Sequence, residues 1–214
     1  MRAVREALAG LPPLARWGVL GLGGLILALL VGAGVWTVLE RRDAAARLAF
    51  ADAASTYRQA IAEPGEAQVA AAADVLTRFL KDHSRSALAG QAWYFLGNLE
   101  YQRRAYDQAL KAFEEAARRD GGSLGALSRL GAGYAWEAKG DPARALETYR
   151  QALTGRGPND FLYAELLLSA ARAHELLNQR PAAIDAYRRF LKDVPNSPRA
   201  GEVRSRLASL GAGA

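Results

Sequence analysis

The sequence predicts an all-α protein in which one transmembrane helix precedes an α-solenoid of about four helical hairpins and a C-terminal capping helix. Three observations predict it. Residues 17–39 form a long run without a charge. Beyond Glu40, period-two apolar alternation is almost absent, and apolar residues recur at helical spacing in segments broken by Gly, Pro, Asn and Asp. The same region matches itself at a period of about 37 residues. The 214 residues thus divide into an N-terminal tail (1–16), the span (17–39), the repeats (40–198) and a capping helix with its tail (199–214).

The span, WGVLGLGGLILALLVGAGVWTVL, is closed by Arg16 on one side and by Glu40, Arg41, Arg42 and Asp43 on the other. As a helix it would be about 34 Å long, enough for a hydrocarbon core of ~30 Å. Trp17 opens the run and Trp36 stands near its far end, which suits indoles at the two interfaces. The run is longer than the apolar part of a cleavable signal peptide, about 7 to 15 residues, although the Ala-rich stretch after Asp43 resembles a cleavage site. Arg2, Arg5 and Arg16 before the span nearly balance Arg41, Arg42, Arg47 and Arg58 behind it. Because the mass lies behind the span, the N-terminus is expected in the cytoplasm and the larger domain outside. Gly24, Ala28 and Gly32 share one helix face at a spacing that lets two helices pair closely. The glycine-rich composition of the span also produces such a spacing by chance.

In the repeat region DVLTRFLKDHSRSALAG (74–90) aligns without a gap with DAYRRFLKDVPNSPRAG (185–201), and RFLKD is identical in both. Leu76, Phe113, Tyr149 and Tyr187 are equivalent and almost evenly spaced along the chain. The first copy is irregular: a helix from about Glu40 to Ala62, a break at Glu63, Pro64 and Gly65, then a helix over 67–81. Hairpins follow over 91–103 and 105–118, 124–138 and 142–153, and 160–177 and 181–193. Pro142 and Pro181 stand where a helix can begin, since the first turn does not need the missing amide. Residues 199–210 read as the solvating cap that an open end of stacked repeats requires.

Trp93, Leu96, Gly97, Ala109, Phe113 and Ala116 fall in register with the tetratricopeptide pattern. So do Gly133, Trp136, Gly140, Ala145, Tyr149 and Ala152 in the third copy, and Leu167, Ala171, Ala183, Tyr187 and Pro195 in the fourth. Glu100, Arg129 and His174 depart from it at aromatic positions, and Gly121 at the proline position. The repeats therefore resemble tetratricopeptide repeats (TPR), with small residues where helices of a hairpin touch and large ones between hairpins. The order of parts also resembles the bacterial single-span inner-membrane family with a periplasmic TPR-like domain, ancillary subunits of the Sec translocon. That resemblance implies a bacterial inner-membrane location, a periplasmic C-terminal domain, and translocon subunits or chaperones as partners beside the lipid bilayer. RFLKDHSRSALAGQAWYFLG is similar as well to repeats of outer-membrane assembly lipoproteins and periplasmic cell-division coordinators, but a lipoprotein needs a Cys and this chain has none.

Composition limits the chemistry. Zero Cys excludes thiolate metal sites and Cys nucleophiles, and His83 and His174 are too few for a His-based centre. His83 is read as a helix-end residue and His174 as a packing residue. No phosphate loop, H-E-x-x-H or G-x-S-x-G motif occurs. No enzyme activity, cofactor, metal or small-molecule substrate is expected. The net charge of +6 is spread out: residues 40–214 hold 25 basic against 21 acidic side chains. Arg pairs such as Arg118 and Arg119 lie near acids, so nucleic acid is not an expected partner.

What remains is a surface. First helices of stacked hairpins line the concave side of a solenoid. On them Gln91, Tyr94, Asn98, Tyr101 and Gln102, then Tyr134 and Glu137, then Glu165, Arg172 and Glu175 are the expected protein-binding groove. TPR domains that clamp a terminal carboxylate pair Lys with Asn here, and Tyr94 beside Asn98 argues against that clamp. The expected function is a membrane-anchored scaffold that binds proteins. The alternative is an architectural subunit of a larger envelope complex, its TPR domain serving assembly.

Overall fold

The computed structural model describes residues 12–63 and 65–212; the side chains of residues 13–21, 23 and 26 lie outside that description. The described residues form nine helices and no strand. They are α1 (Pro13–Ala62), α2 (Glu66–Asp82), α3 (Ala89–Gln102), α4 (Tyr106–Arg119), α5 (Ser123–Ala138), α6 (Pro142–Leu153), α7 (Tyr163–Leu176), α8 (Arg180–Asp193) and α9 (Ala200–Ser209). The chain divides into two compact units, Met1–Arg47 and Leu48–Ala214.

In the first unit, α1 exposes Leu27, Leu29, Leu30, Val31, Val35 and Trp36 around its whole circumference. The Thr37 hydroxyl donates to the Gly34 carbonyl at 2.8 Å, so it is satisfied within the helix. Among the described residues no helix is long and apolar enough to cross a membrane. The stretch of the expected span whose side chains are all described is residues 27–39, little more than its second half. Most of the first half, Trp17 included, lies outside the described side chains, as does most of the expected N-terminal tail.

In the second unit the three hairpins match the expected bounds closely at each end. Their inner turns share one geometry. The amides of Ala105, Asp141 and Gln179 donate back to the carbonyls of Glu100, Trp136 and His174 respectively, all at 2.9 Å. This Schellman closure needs a left-handed residue after the helix, and Arg104 (φ 58°), Gly140 (φ 79°) and Asn178 (φ 57°) supply it. Gly211 (φ 66°) repeats the closure at the end of α9, where Ala212 donates to Leu207. Asp141 also caps α6, its carboxylate accepting from the Arg144 amide at 3.0 Å beside Pro142.

Small-against-large packing holds the hairpins together. A Cβ on Gly133 would stand 2.1 Å from the Tyr149 ring, and one on Gly97 or Gly131 2.6 Å from Phe113. The Phe113 ring thus lies against glycines of two successive hairpins. In the last hairpin Ala171 occupies the place of Gly133, with Ala183, Tyr187 and Phe190 in one buried cluster. Val203 and Leu207 of α9 close that cluster, and the Arg180 guanidinium donates to the Leu210 carbonyl. At the other end Phe50 and Tyr57 of α1 stack on Phe95, at 6.0 and 4.1 Å between centroids.

Candidate protein-binding face

Two halves of the first-helix face differ in chemistry. On α3, Gln91, Tyr101 and Gln102 are exposed, and Tyr94 and Asn98 are half-buried. Asn98 donates its amide to the Tyr57 hydroxyl at 3.0 Å, so it anchors α1 to α3. Tyr94 packs on Phe95 and Phe113, with centroids 6.2 and 6.1 Å away. Tyr101 packs on Tyr106 at 5.6 Å between centroids and is 36% exposed. Burial raises the Tyr57 and Tyr101 phenols above their usual range.

On α5 and α7 the expected groove residues bind one another. Arg172 donates to both oxygens of Glu137, at 3.0 and 3.3 Å, and lies over the Tyr134 ring, 5.6 Å from its centroid. Tyr134 donates its hydroxyl to Glu165 at 2.7 Å, and Glu165 accepts from Arg199 at 2.6 Å. Tyr149 donates to Glu137 at 3.0 Å, Tyr187 donates to Glu175, and Arg206 stands 3.9 Å from Glu175. Burial, then the neighbouring carboxylate, pushes the phenol of Tyr134 up to about 12 and raises those of Tyr149 and Tyr187 further. Burial opposes the charge on Arg172, but the Glu137 carboxylate outweighs it and the guanidinium is held more basic than usual.

Sequence equivalence explains the contrast. Tyr101 occupies the position of Glu137 and Glu175, and Phe113 that of Tyr149 and Tyr187. The α3–α4 hairpin therefore has neither the acid nor the hydroxyl of the Tyr–Glu pair. Sequence reasoning missed Tyr57, Arg199, Arg206 and the Tyr–Glu pairing. The signal present was the equal sequence separation within Glu137–Tyr149 and Glu175–Tyr187. His174, 7% exposed, bridges Gln179 (2.7 Å) and Arg150 (3.5 Å), a packing role as expected. His83 is the C-cap residue of α2.

An α-solenoid of helical hairpins, closed by a capping helix, is an interaction-scaffold architecture. Tetratricopeptide repeat profiles match residues 57–123, 97–161 and 165–197, so the chain belongs to the tetratricopeptide repeat family. Such repeats are typical of non-enzymatic protein-binding scaffolds. Among solved structures, the type III secretion chaperone SycD of Yersinia enterocolitica, in complex with a peptide of the translocator YopD, is similar at 21% identity and a TM-score of 0.47. The match covers 56% of this chain and 87% of that one. No curated protein matches this sequence.

Proposed function

We propose that this protein is a membrane-anchored TPR scaffold at the bacterial inner membrane that binds protein segments on its first-helix face, with the repeats on the periplasmic side. The observation that carries the binding reading is the exposure of the neutral side chains Gln91, Tyr101 and Gln102 on α3, next to a stretch whose charges already satisfy one another. Exposed Tyr beside amides offers apolar area and adjustable hydrogen bonds to a partner segment, while the Glu137–Arg172 stretch keeps the face rigid. The anchor rests on the uncharged run 17–39, whose described part carries exposed Leu, Val and Trp on every side. Tethering raises the local concentration of weak partners. Translocon subunits and periplasmic chaperones fit as partners by the order of parts in the chain.

The test is mild-detergent purification with cross-linking of the wild type and of a Gln91→Ala/Tyr101→Ala/Gln102→Ala variant. Loss of the cross-linked partner with the repeats still folded supports the reading; an unchanged partner set removes it. The architectural alternative draws on the open space around Gly24 and Gly32, where an added Cβ meets nothing within 4 Å. Under it, partners vanish when Gly24, Ala28 and Gly32 become Leu and persist in the Tyr101 variant. Protease protection in sealed cells reads the side of the membrane.

A further inference from the structure

A second surface of different chemistry lies between the second helices. The floor is one face of α5, with Arg129, Ala132 and Trp136 one turn apart; α4 contributes Leu110, Phe113 and Arg118 to one wall and α6 closes the other. Together they enclose a cleft of about 450 Å³. The neighbouring groove of the same array is built from the equivalent positions and is filled. There Leu167, Ala170 and His174 replace Arg129, Ala132 and Trp136, and they are only 3%, 6% and 7% exposed. Arg150 reaches across that groove to His174, whereas its equivalent in the open cleft is Glu114, which makes no bond across the floor among the described residues. Of this neighbouring pair of grooves, one is thus left open by its own side chains.

The open cleft is apolar at its base, and of the guanidinium groups around its rim those of Arg118, Arg144 and Arg156 are already paired, with Glu115, Asp141 and Asp160. Arg129 has no ion-pair partner among the described residues. It also lines an adjoining recess of about 400 Å³, to which Arg156 contributes. Arg118 stands at the same rim, bonded to Glu115, and the Arg144 guanidinium lies over the Trp136 ring at 4.2 Å. Among the described residues, the one carboxylate on the lining of either recess is Glu114. Such a cleft complements a chain that offers an aliphatic or aromatic anchor to the base and a carboxylate to the guanidinium, which binds it through two parallel bonds.

We propose that the cleft between α4, α5 and α6 is a second protein-binding site, taking an acidic segment of a partner protein with a Leu or Phe anchor seated over Ala132 beside Trp136 and its carboxylate on Arg129. The site is independent of the first-helix face and lets the scaffold hold two segments at once.

The test titrates the full chain in detergent micelles with a labelled synthetic peptide in which Leu and Phe alternate with Glu, beside the same peptide with Lys for Glu. The Glu peptide is expected to bind and the Lys peptide not. Arg129→Glu weakens binding about tenfold or more, Arg129→Lys retains part of it, and Ala132→Phe blocks it by filling the base. Tyr101→Ala, on the other face, leaves it unchanged, so failure of this site and failure of the first-helix site are read separately. Should Ala132→Phe disturb folding, the rim variant Arg129→Glu keeps the test. Equal binding of both peptides, or binding indifferent to Arg129→Glu, overturns the proposal. So does a concentration-dependent dimer lost in Arg129→Glu without Glu-peptide binding, which assigns the cleft to a second copy.

Discussion

Glycine does opposite jobs at different positions of this chain, and the space around each decides which. A Cβ on Gly133 would overlap the Tyr149 ring, so Gly133→Ala forces the two helices of its hairpin apart and is expected to destabilise by about 1–3 kcal/mol. Gly201, in α9, has nothing within 4 Å of an added Cβ, and Gly201→Ala should stabilise by about 0.5–1 kcal/mol through helix propensity. Urea unfolding of the two variants gives shifts of opposite sign. Arg104 is the reverse case, a residue with a Cβ in a left-handed turn whose sister positions hold Gly140 and Asn178. Arg104→Gly relieves that strain and is expected to stabilise by about 1 kcal/mol, read as a higher urea midpoint with unchanged slope.

At the scale of elements, Tyr149–Glu137 and Tyr187–Glu175 join the first and second helices of a hairpin, Tyr134–Glu165 joins two successive hairpins, and all three pairs make the array sensitive to alkali. Tyr134, Tyr149 and Tyr187 all carry phenols raised above the ordinary value near 10, by burial first and then by Glu165, Glu137 and Glu175. Above pH 10 the unfolded chain loses these protons while the folded chain keeps them. The folded state then binds more protons, so stability is full below pH 10 and falls as pH climbs toward 12, the value for Tyr134. Tyr149→Phe costs about 1 kcal/mol at neutral pH by removing the bond to Glu137, yet it should lose less stability between pH 9 and pH 11 than the wild type. Chemical unfolding at the two pH values checks this; equal losses would show that Tyr149 does not titrate with folding. The hairpins themselves were legible in sequence because RFLKD recurs and because Pro142, Gly140 and Asn178 mark starts and stops. The pairing of Glu137 with Arg172 was not, since it depends on how far one hairpin is rotated against the next.

For the whole molecule, the repeat period supplied the order and number of hairpins, and the second unit follows it closely from α2 to the α9 cap. The groove residues divided in a way that no single repeat foretold. Composition distinguishes Tyr101 from Glu137 only once the two are known to occupy the same place, and the open cleft beside Trp136 becomes visible only against its filled sister. Asn98 read as a binding residue because its partner, Tyr57, lies far back in the chain, in a helix whose register the irregular first copy did not set.

The Phe113 ring, wedged against Gly97 and Gly131, carries a consequence for how the array melts. In a linear array each hairpin has its own modest stability, and cooperativity comes from the free energy of the junctions. One side chain that serves as the inner filling of one hairpin and the junction with the next makes those two open together. Phe113→Ala should therefore not only destabilise by about 3–5 kcal/mol but also split a single transition into two, the α5–α9 half surviving the α2–α4 half. Hydrogen exchange would then find amides of Leu96 and Leu99 opening at lower free energy than those of Leu166 and Leu167, where the wild type opens both as one domino row falling from either end.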